Sequence, residues 1–186
     1  MPAPPDPLAT RLLDLLRLVN EWLRFAETKN VGIVGLASGG LSFVVVALGL
    51  LRDDGLGTGP GAALTLGAVL MALALLAGVW SFLPATSMPR WMRASADAAR
   101  PDDNLYYFGH LARRHPRELV ADIARRYERL PEPEAAVTEL HADLAAQVVV
   151  NARITMQKLK LFTWAVVLFA AGALMAAGGI LVVVLW

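Results

Sequence analysis

Three long stretches of this chain contain no charged residue, namely Val31–Leu51, Gly55–Pro89 and Leu161–Trp186. They are 21, 35 and 26 residues long, and a helix of about 20 apolar residues is long enough to cross the hydrocarbon core of a bilayer. All 17 Lys and Arg and all 16 Asp and Glu lie outside these stretches. A soluble protein has no reason to segregate its charges in this way, so the sequence predicts an integral membrane protein with three transmembrane helices.

The rest of the composition excludes several classes of protein. The chain has no cysteine, which rules out disulfides, cysteine-ligated metals and thiol chemistry. Its net charge is only +1, and its basic residues are interleaved with acidic ones, so no nucleic-acid partner is expected. His110 and His115 are five residues apart, which is off register for two ligands on one helical face, so no metal site is predicted.

The chain is not expected to be an enzyme. Three membrane spans leave too few of its 186 residues for a large catalytic domain. The sequence shows no pairing of a nucleophile with a base and no phosphate-binding glycine loop, so no catalytic residue is predicted.

The sequence divides into four segments. Residues 1–30 comprise a proline-rich tail and an amphipathic helix over Leu8–Thr28, which lies on the membrane surface or packs on another helix. Residues 31–84 form a transmembrane hairpin, residues 85–159 a cytosolic helical region, and residues 160–186 the third transmembrane helix. The predicted fold class is an all-α membrane protein with three transmembrane helices, an N-terminal amphipathic helix and a small cytosolic helical cap.

Proline and glycine set the expected helix ends in the charged region. A helix is predicted over Pro116–Leu130, because proline suits a first helical turn and more prolines follow Leu130. Neither proline nor glycine occurs from Ala135 to Ala171. We therefore predict one continuous helix over Ala135–Trp186, whose second half is the third span.

The distribution of Lys and Arg predicts the orientation in the membrane. Sixteen of the 17 lie in the N-terminal segment or in Ala85–Lys160, and only Arg52 lies in the loop between the first two spans. By the positive-inside rule, the N-terminus and the charged region are cytoplasmic, and the C-terminus lies on the other side.

Small residues in the first span offer a surface for close helix packing. Gly35 and Gly39 have the spacing at which two helix backbones can approach each other closely, either within one protomer or between protomers. The spans carry no ionisable group, so a proton relay or a charged selectivity filter is not expected. Any pore would have to form by assembly or rearrangement, and a homo-oligomer is the expected state.

Polar residues near the span ends are the candidate ligand or gating residues. Lys29 and Lys158 are either anchors that reach the membrane surface or contacts for an anion or nucleotide. Gln147 and Asn151 are four residues apart on a largely apolar stretch of the long helix. A carboxamide in such surroundings needs a hydrogen-bond partner, and a neighbouring helix is the simplest source of one.

Three short segments have a familiar pattern. Residues 22–30 read Trp-Leu-Arg-Phe-Ala-Glu-Thr-Lys-Asn before the first span, residues 107–112 read Tyr-Phe-Gly-His-Leu-Ala after the second, and residues 144–158 carry Gln147, Asn151 and Lys158 before the third. They resemble the patterns W-x-R-x-A-D-x-K-A, F-F-G-D-I-A and L-x-x-Q-I-x-x-N-A-x-I-x-x-x-K of the transmembrane effector family of Pycsar (pyrimidine cyclase) anti-phage defence systems. Glu27 and His110 stand where that family has Asp, and the resemblance covers roughly residues 20–180.

The resemblance implies a membrane effector of nucleotide-signalled bacterial immunity. Such an effector permeabilises the inner membrane, in an abortive infection, when a cyclic nucleotide such as cUMP or cCMP signals phage attack. A nucleotide cyclase of the same system would act through this diffusible ligand, and no other cofactor is expected. Because no separate cyclic-nucleotide-binding domain is attached, the cytosolic helices or a partner protein would sense the ligand. The alternative is a non-catalytic membrane anchor or scaffold that recruits a soluble partner.

The candidate residues suggest how such an effector would be gated. Gln147, Asn151 and Lys158 recur at spacings of four and seven, which places them on one face of the long helix. If this face meets Lys29 and the Phe108–His110 segment, hydrogen bonds there would hold a closed arrangement. A ligand with an affinity that differs between closed and open arrangements would then shift the population.

Overall fold

The computed structural model describes residues 6–53, 57–83, 99–100, 102–129 and 137–185. All regular secondary structure in these residues is helical. The helices are α1 (Pro7–Asp53), α2 (Thr58–Trp80), α3 (Phe108–Leu111), α4 (Pro116–Arg126) and α5 (Glu139–Leu185). Of these, α1, α2 and α5 are long and apolar enough to cross a membrane, so the predicted all-α class with three transmembrane helices is confirmed.

The chain forms two compact units. Unit 1 comprises the described residues of Met1–Ala26 and Ala85–Gln157, and unit 2 those of Glu27–Pro84 and Lys158–Trp186. Helices α1 and α5 each contribute residues to both units. Unit 1 therefore contains most of the charged residues, and unit 2 contains the apolar spans.

Unit 1 is a small helical domain with an apolar core. The amphipathic part of α1 and helix α4 each bury most of their apolar face. The most fully buried side chains are Leu12, Leu15, Val19, Leu119, Val120 and Ile123. Of the two positions expected for the amphipathic helix, packing on other helices is therefore the one found. Arg153 on α5 makes two hydrogen bonds within this unit. Its Nε donates to the carbonyl of Ala112 (2.9 Å), and its Nη2 donates to the carbonyl of Arg114 (3.0 Å).

Unit 2 is a bundle of three helix segments, in which α2 runs antiparallel to the other two. Gly78 near the end of α2 lies against Val34 near the start of the first span, as an antiparallel hairpin requires. The backbones of α2 and α5 approach most closely at Gly67 and Gly172. A Cβ built on Gly172 would lie 2.8 Å from the carbonyl oxygen of Gly67, so only glycine fits this crossing.

The structure corrects the expectation for Gly35 and Gly39. Both residues are exposed, and no atom of another residue would lie within 4 Å of a Cβ at either position. Packing within one protomer is therefore not their role, and contact between protomers stays a prediction. The close crossing of helices uses Gly67 and Gly172 instead.

The helix boundaries in the structure agree only in part with those predicted from the sequence. The N-terminal amphipathic segment and the first span form a single helix of 47 residues rather than two elements, because no Pro or Gly interrupts residues 24–31. The continuous long helix is confirmed, although it begins at Glu139 rather than at Ala135, which lies outside the described residues. Helix α4 ends at Arg126, earlier than the predicted end at Leu130. Arg129 then has a positive φ of 52°, a left-handed conformation that does not continue a right-handed helix.

Candidate functional site

The strongest candidate site is a polar contact in unit 2 centred on Lys158. Its ammonium group donates one hydrogen bond to Oε1 of Glu27 (3.0 Å) and another to the backbone carbonyl of Ser81 (3.1 Å). Glu27 lies on α1, Ser81 caps the end of α2, and Lys158 lies on α5. One side chain therefore joins the ends of all three spans.

Helix geometry explains why a lysine suits this place. The last carbonyls of a helix have no partner within it, and they carry partial negative charge. The carbonyl of Ser81 is such a group, and the hydroxyl of Ser81 already donates to the carbonyl of Gly78 (2.7 Å). The side chain of Lys158 is only 11% exposed, whereas that of Glu27 is 47% exposed, so the lysine is the partner that depends on the contact.

Asn30 adds a second polar side chain to this contact. It is completely buried, and its Nδ2 donates a long hydrogen bond to the backbone carbonyl of Lys158 (3.4 Å). Its Oδ1 has no hydrogen-bond partner among the residues that the structure describes. A buried polar atom without a hydrogen-bond partner costs free energy. The unpaired Oδ1 of Asn30 therefore makes this contact less stable than the apolar core around it.

Lys29, the other candidate in unit 2, occupies a different position. It is exposed, and its ammonium group lies 5.2 Å from the ring centroid of Phe162 on α5. A cation over an aromatic face at the start of a span is the arrangement expected of an anchor.

Phe108 and His110 belong to an aromatic cluster in unit 1. Phe108 is buried and packs on Trp22 and Tyr107, at ring-centroid distances of 5.2 and 4.7 Å. His110 packs edge-on against Tyr107 (5.0 Å), and its Nδ1 accepts a hydrogen bond from the backbone N–H of Asn104 (2.9 Å). These contacts fix the segment after the second span as part of the unit 1 fold.

A buried carboxylate lies beside His110. The backbone N–H of Arg100 donates to Oδ2 of Asp103 (2.9 Å), and this bond holds the pKa of Asp103 below its ordinary value. Burial opposes this effect, and the nearby His110 and Arg114 (both at 3.7 Å) support it. Asp103 is therefore a structural anion that orders this part of unit 1.

Gln147 and Asn151 have different environments, although they are four residues apart. Nδ2 of Asn151 donates to Oδ1 of Asn20 on α1 (2.8 Å). A neighbouring helix therefore supplies the hydrogen-bond partner of this carboxamide, as we expected. Gln147 is exposed and makes no hydrogen bond to the described residues. The partner of Asn151 is thus Asn20 rather than the Phe108–His110 segment.

The six candidate residues are divided between the two units. Phe108, His110, Gln147 and Asn151 belong to unit 1, and Lys29 and Lys158 to unit 2. The sequence analysis missed the partners, which are Asn20, Glu27, Asn30 and Ser81. The pairing of Glu27 with Lys158 could have been suspected from the sequence. The two residues have opposite charges, and each lies just outside a charge-free stretch, at the same end of its span. Among the described residues, no three His, Asp or Glu side chains come together to hold a metal ion.

Comparisons with known proteins cover nearly the whole chain. The model of the Pycsar effector protein domain matches residues 11–185. A curated relative, the Pycsar effector protein RsPycTM of a Rhizobium species, is 29% identical over 169 residues, which are 89% of this chain and 87% of the relative. No solved structure matches the chain.

Proposed function

The chain belongs to the Pycsar effector protein family of transmembrane effectors in anti-phage defence, and from this we propose that it permeabilises the bacterial inner membrane when a cyclic nucleotide signals infection. The observation that carries the proposal is the contact of Lys158. A single ammonium group joins the ends of three apolar spans through two hydrogen bonds, so a change at this group acts on the ends of all three spans at once.

The proposed action is mechanical rather than catalytic. In the closed state, Lys158 neutralises Glu27 and satisfies the last carbonyl of α2. Loss of these bonds leaves polar groups at the span ends unpaired, among them the carbonyl of Ser81, and unpaired polar groups favour a wetter arrangement of the spans. A ligand or partner that binds the open arrangement more tightly shifts the population toward it.

We further propose that several protomers act together. The spans of one chain contain no ionisable group between the ends of the bundle, so one chain alone offers no path lined by charged side chains. Gly35 and Gly39 lie exposed on the first span with open space around them, which leaves this surface available to a second copy. The proposed trigger is a diffusible pyrimidine cyclic nucleotide, cUMP or cCMP, made by a cyclase of the same system.

A reconstituted leak assay tests the proposed function. The protein in liposomes of bacterial lipid that enclose a fluorescent dye should release the dye when cUMP or cCMP is added, and much less with cAMP or 5′-UMP. Empty liposomes and liposomes with an unrelated three-span protein serve as controls. If no nucleotide causes release, and infected cells that carry the cyclase keep their full membrane potential, the protein is better explained as a scaffold.

The proposed orientation has its own test, which the absence of cysteine makes simple. Gly57→Cys places one thiol at the exposed start of α2, and Asp14→Cys places one on the exposed surface of α1 in unit 1. With the N-terminus in the cytoplasm, a membrane-impermeant maleimide added to intact spheroplasts should label position 57 and not position 14. Labelling of position 57 only after lysis would contradict this orientation.

A further inference from the structure

A cleft of about 670 Å³ lies in unit 1 between α4 and the beginning of α5. Pockets for small molecules have volumes of about 300–1,000 Å³ and a few fixed polar groups. Charged side chains of both signs line the cleft, namely Arg114, Arg117, Arg125, Glu118, Asp122 and Glu139. Such a lining suits a ligand that carries both an anionic group and hydrogen-bond donors.

Arg114 is the fixed, buried part of this cleft. Its side chain is only 7% exposed, because Nη1 is bound to the carboxylate of Asp122 and Nη2 donates to the carbonyl of Arg100 (2.6 Å). Its Nε has no hydrogen-bond partner among the described residues. A buried guanidinium N–H without an acceptor is rare in folded proteins. Nε is itself shielded from solvent, so Arg114 acts as a fixed positive charge in the wall of the cleft.

Arg117 and Arg125 supply exposed positive charge to the lining of the cleft. They lie eight residues apart on α4, and both are exposed. Arg117 makes no hydrogen bond or ion pair with the described residues. Arg125 lies 3.7 Å from Asp122, a carboxylate that Arg114 already neutralises. Both guanidinium groups are therefore available to an anion, with the two-pronged geometry that phosphate prefers.

The beginning of α5 faces the same cleft through Thr138 and Glu139. The first N–H groups of a helix have no partner within it and favour a negative charge. The backbone N–H of Thr138 donates to Nδ1 of His141 (3.1 Å), and Nε2 of His141 lies 2.9 Å from Oδ2 of Asp6. This chain of bonds fixes the start of the helix where the cleft opens.

We propose that this cleft is the binding site of the triggering ligand, and that the ligand is a nucleoside phosphate. Arg117, Arg125 and the first turn of α5 hold the phosphate. The carboxylates of Glu118 and Glu139 accept hydrogen bonds from ribose hydroxyls or base amino groups. This assignment rests on the proposed function, and none of the six residues that the sequence singled out is among those that line the cleft.

Binding measurements on the full-length protein in nanodiscs test this site. Isothermal titration with cUMP, cCMP, 5′-UMP and inorganic phosphate should show binding of at least one nucleotide to the wild type. Loss of one charge-assisted contact costs roughly tenfold or more in affinity, so Arg117→Ala and Arg125→Ala should each weaken it by about this factor. Arg17→Ala removes an arginine that pairs only with Asp14 on its own helix, and it should leave the affinity unchanged.

The outcomes separate the site from the function. If a nucleotide binds the wild type and both cleft variants equally well, the site is elsewhere, even if nucleotide-triggered dye release persists. If the cleft variants lose binding and the wild type never releases dye, the site stands and the permeabilising function is wrong. If only inorganic phosphate binds, the cleft is a general anion site and the assignment to a nucleotide fails. If no probe binds the wild type, the site is refuted.

Discussion

Lys158→Met is expected to destabilise unit 2 and to cause dye release without any nucleotide. The substitution keeps an unbranched side chain that is one atom shorter, and it removes the hydrogen bonds to Glu27 and to the carbonyl of Ser81. A hydrogen bond to a charged group contributes about 1.5–3 kcal/mol to the free energy of unfolding. For a chain of this size, each kcal/mol lowers the thermal midpoint by about 2–4 °C, so the midpoint in detergent should fall by roughly 3–12 °C.

Lys160→Met is the matched control for this variant. It removes the same charge two residues further along α5, from an exposed side chain with no hydrogen bond to the described residues. Glu27→Gln provides a milder test, because the amide keeps an acceptor for Lys158 but loses the charge. If Lys158→Met melts like the wild type and its liposomes stay tight, Lys158 does not hold the spans closed.

Gly172→Ala should destabilise the bundle, although alanine favours helix. The added Cβ would lie 2.8 Å from the backbone oxygen of Gly67, and a backbone atom cannot move away as a side-chain tip can. Helices α2 and α5 must separate, and overpacking of this kind costs about 1–3 kcal/mol. The gain in helix propensity of about 1 kcal/mol offsets only part of this cost, so a net loss of up to about 2 kcal/mol is expected. Unfolding in a mixed-detergent titration gives the difference in free energy.

Gly39→Ala is the control, because the same substitution there meets open space. The free energy of unfolding of one chain should stay the same or rise slightly. If alanine changes the free energy of unfolding equally at positions 39 and 172, helices α2 and α5 do not pack closely at Gly67 and Gly172. A fall in oligomer mass for the variant at position 39 alone would place that surface between protomers.

Several features were readable from the sequence because they depend on local composition. The charge-free stretches identify the spans, since every ionised group inside a bilayer carries a large cost. The lack of Pro and Gly before Gly172 predicts a long continuous helix, and α5 has that form. The periodic apolar residues of Leu8–Thr28 predict a helix with one buried face, which packs inside unit 1.

The pairings between helices depended on the tertiary structure. A span that is apolar on all sides has no preferred face, because lipid and protein accept its side chains equally well. The sequence therefore offered Gly35 and Gly39 as a packing surface, whereas the folded chain crosses at Gly67 and Gly172. The rotation of each helix about its axis selects among these faces, and packing with the other helices sets that rotation.

The same reason explains the candidate site. The sequence identified Lys158 as a polar residue at a span end, but its partner Glu27 is 131 residues away. Local spacing placed Gln147, Asn151 and Lys158 on one face, yet only tertiary contacts decided that Asn151 meets Asn20 and that Gln147 is exposed. The sequence by itself thus determined which segments lie in the membrane and that they are helical. The tertiary structure decided which polar groups meet, because a hydrogen bond needs two atoms within about 3 Å and composition does not fix such a distance.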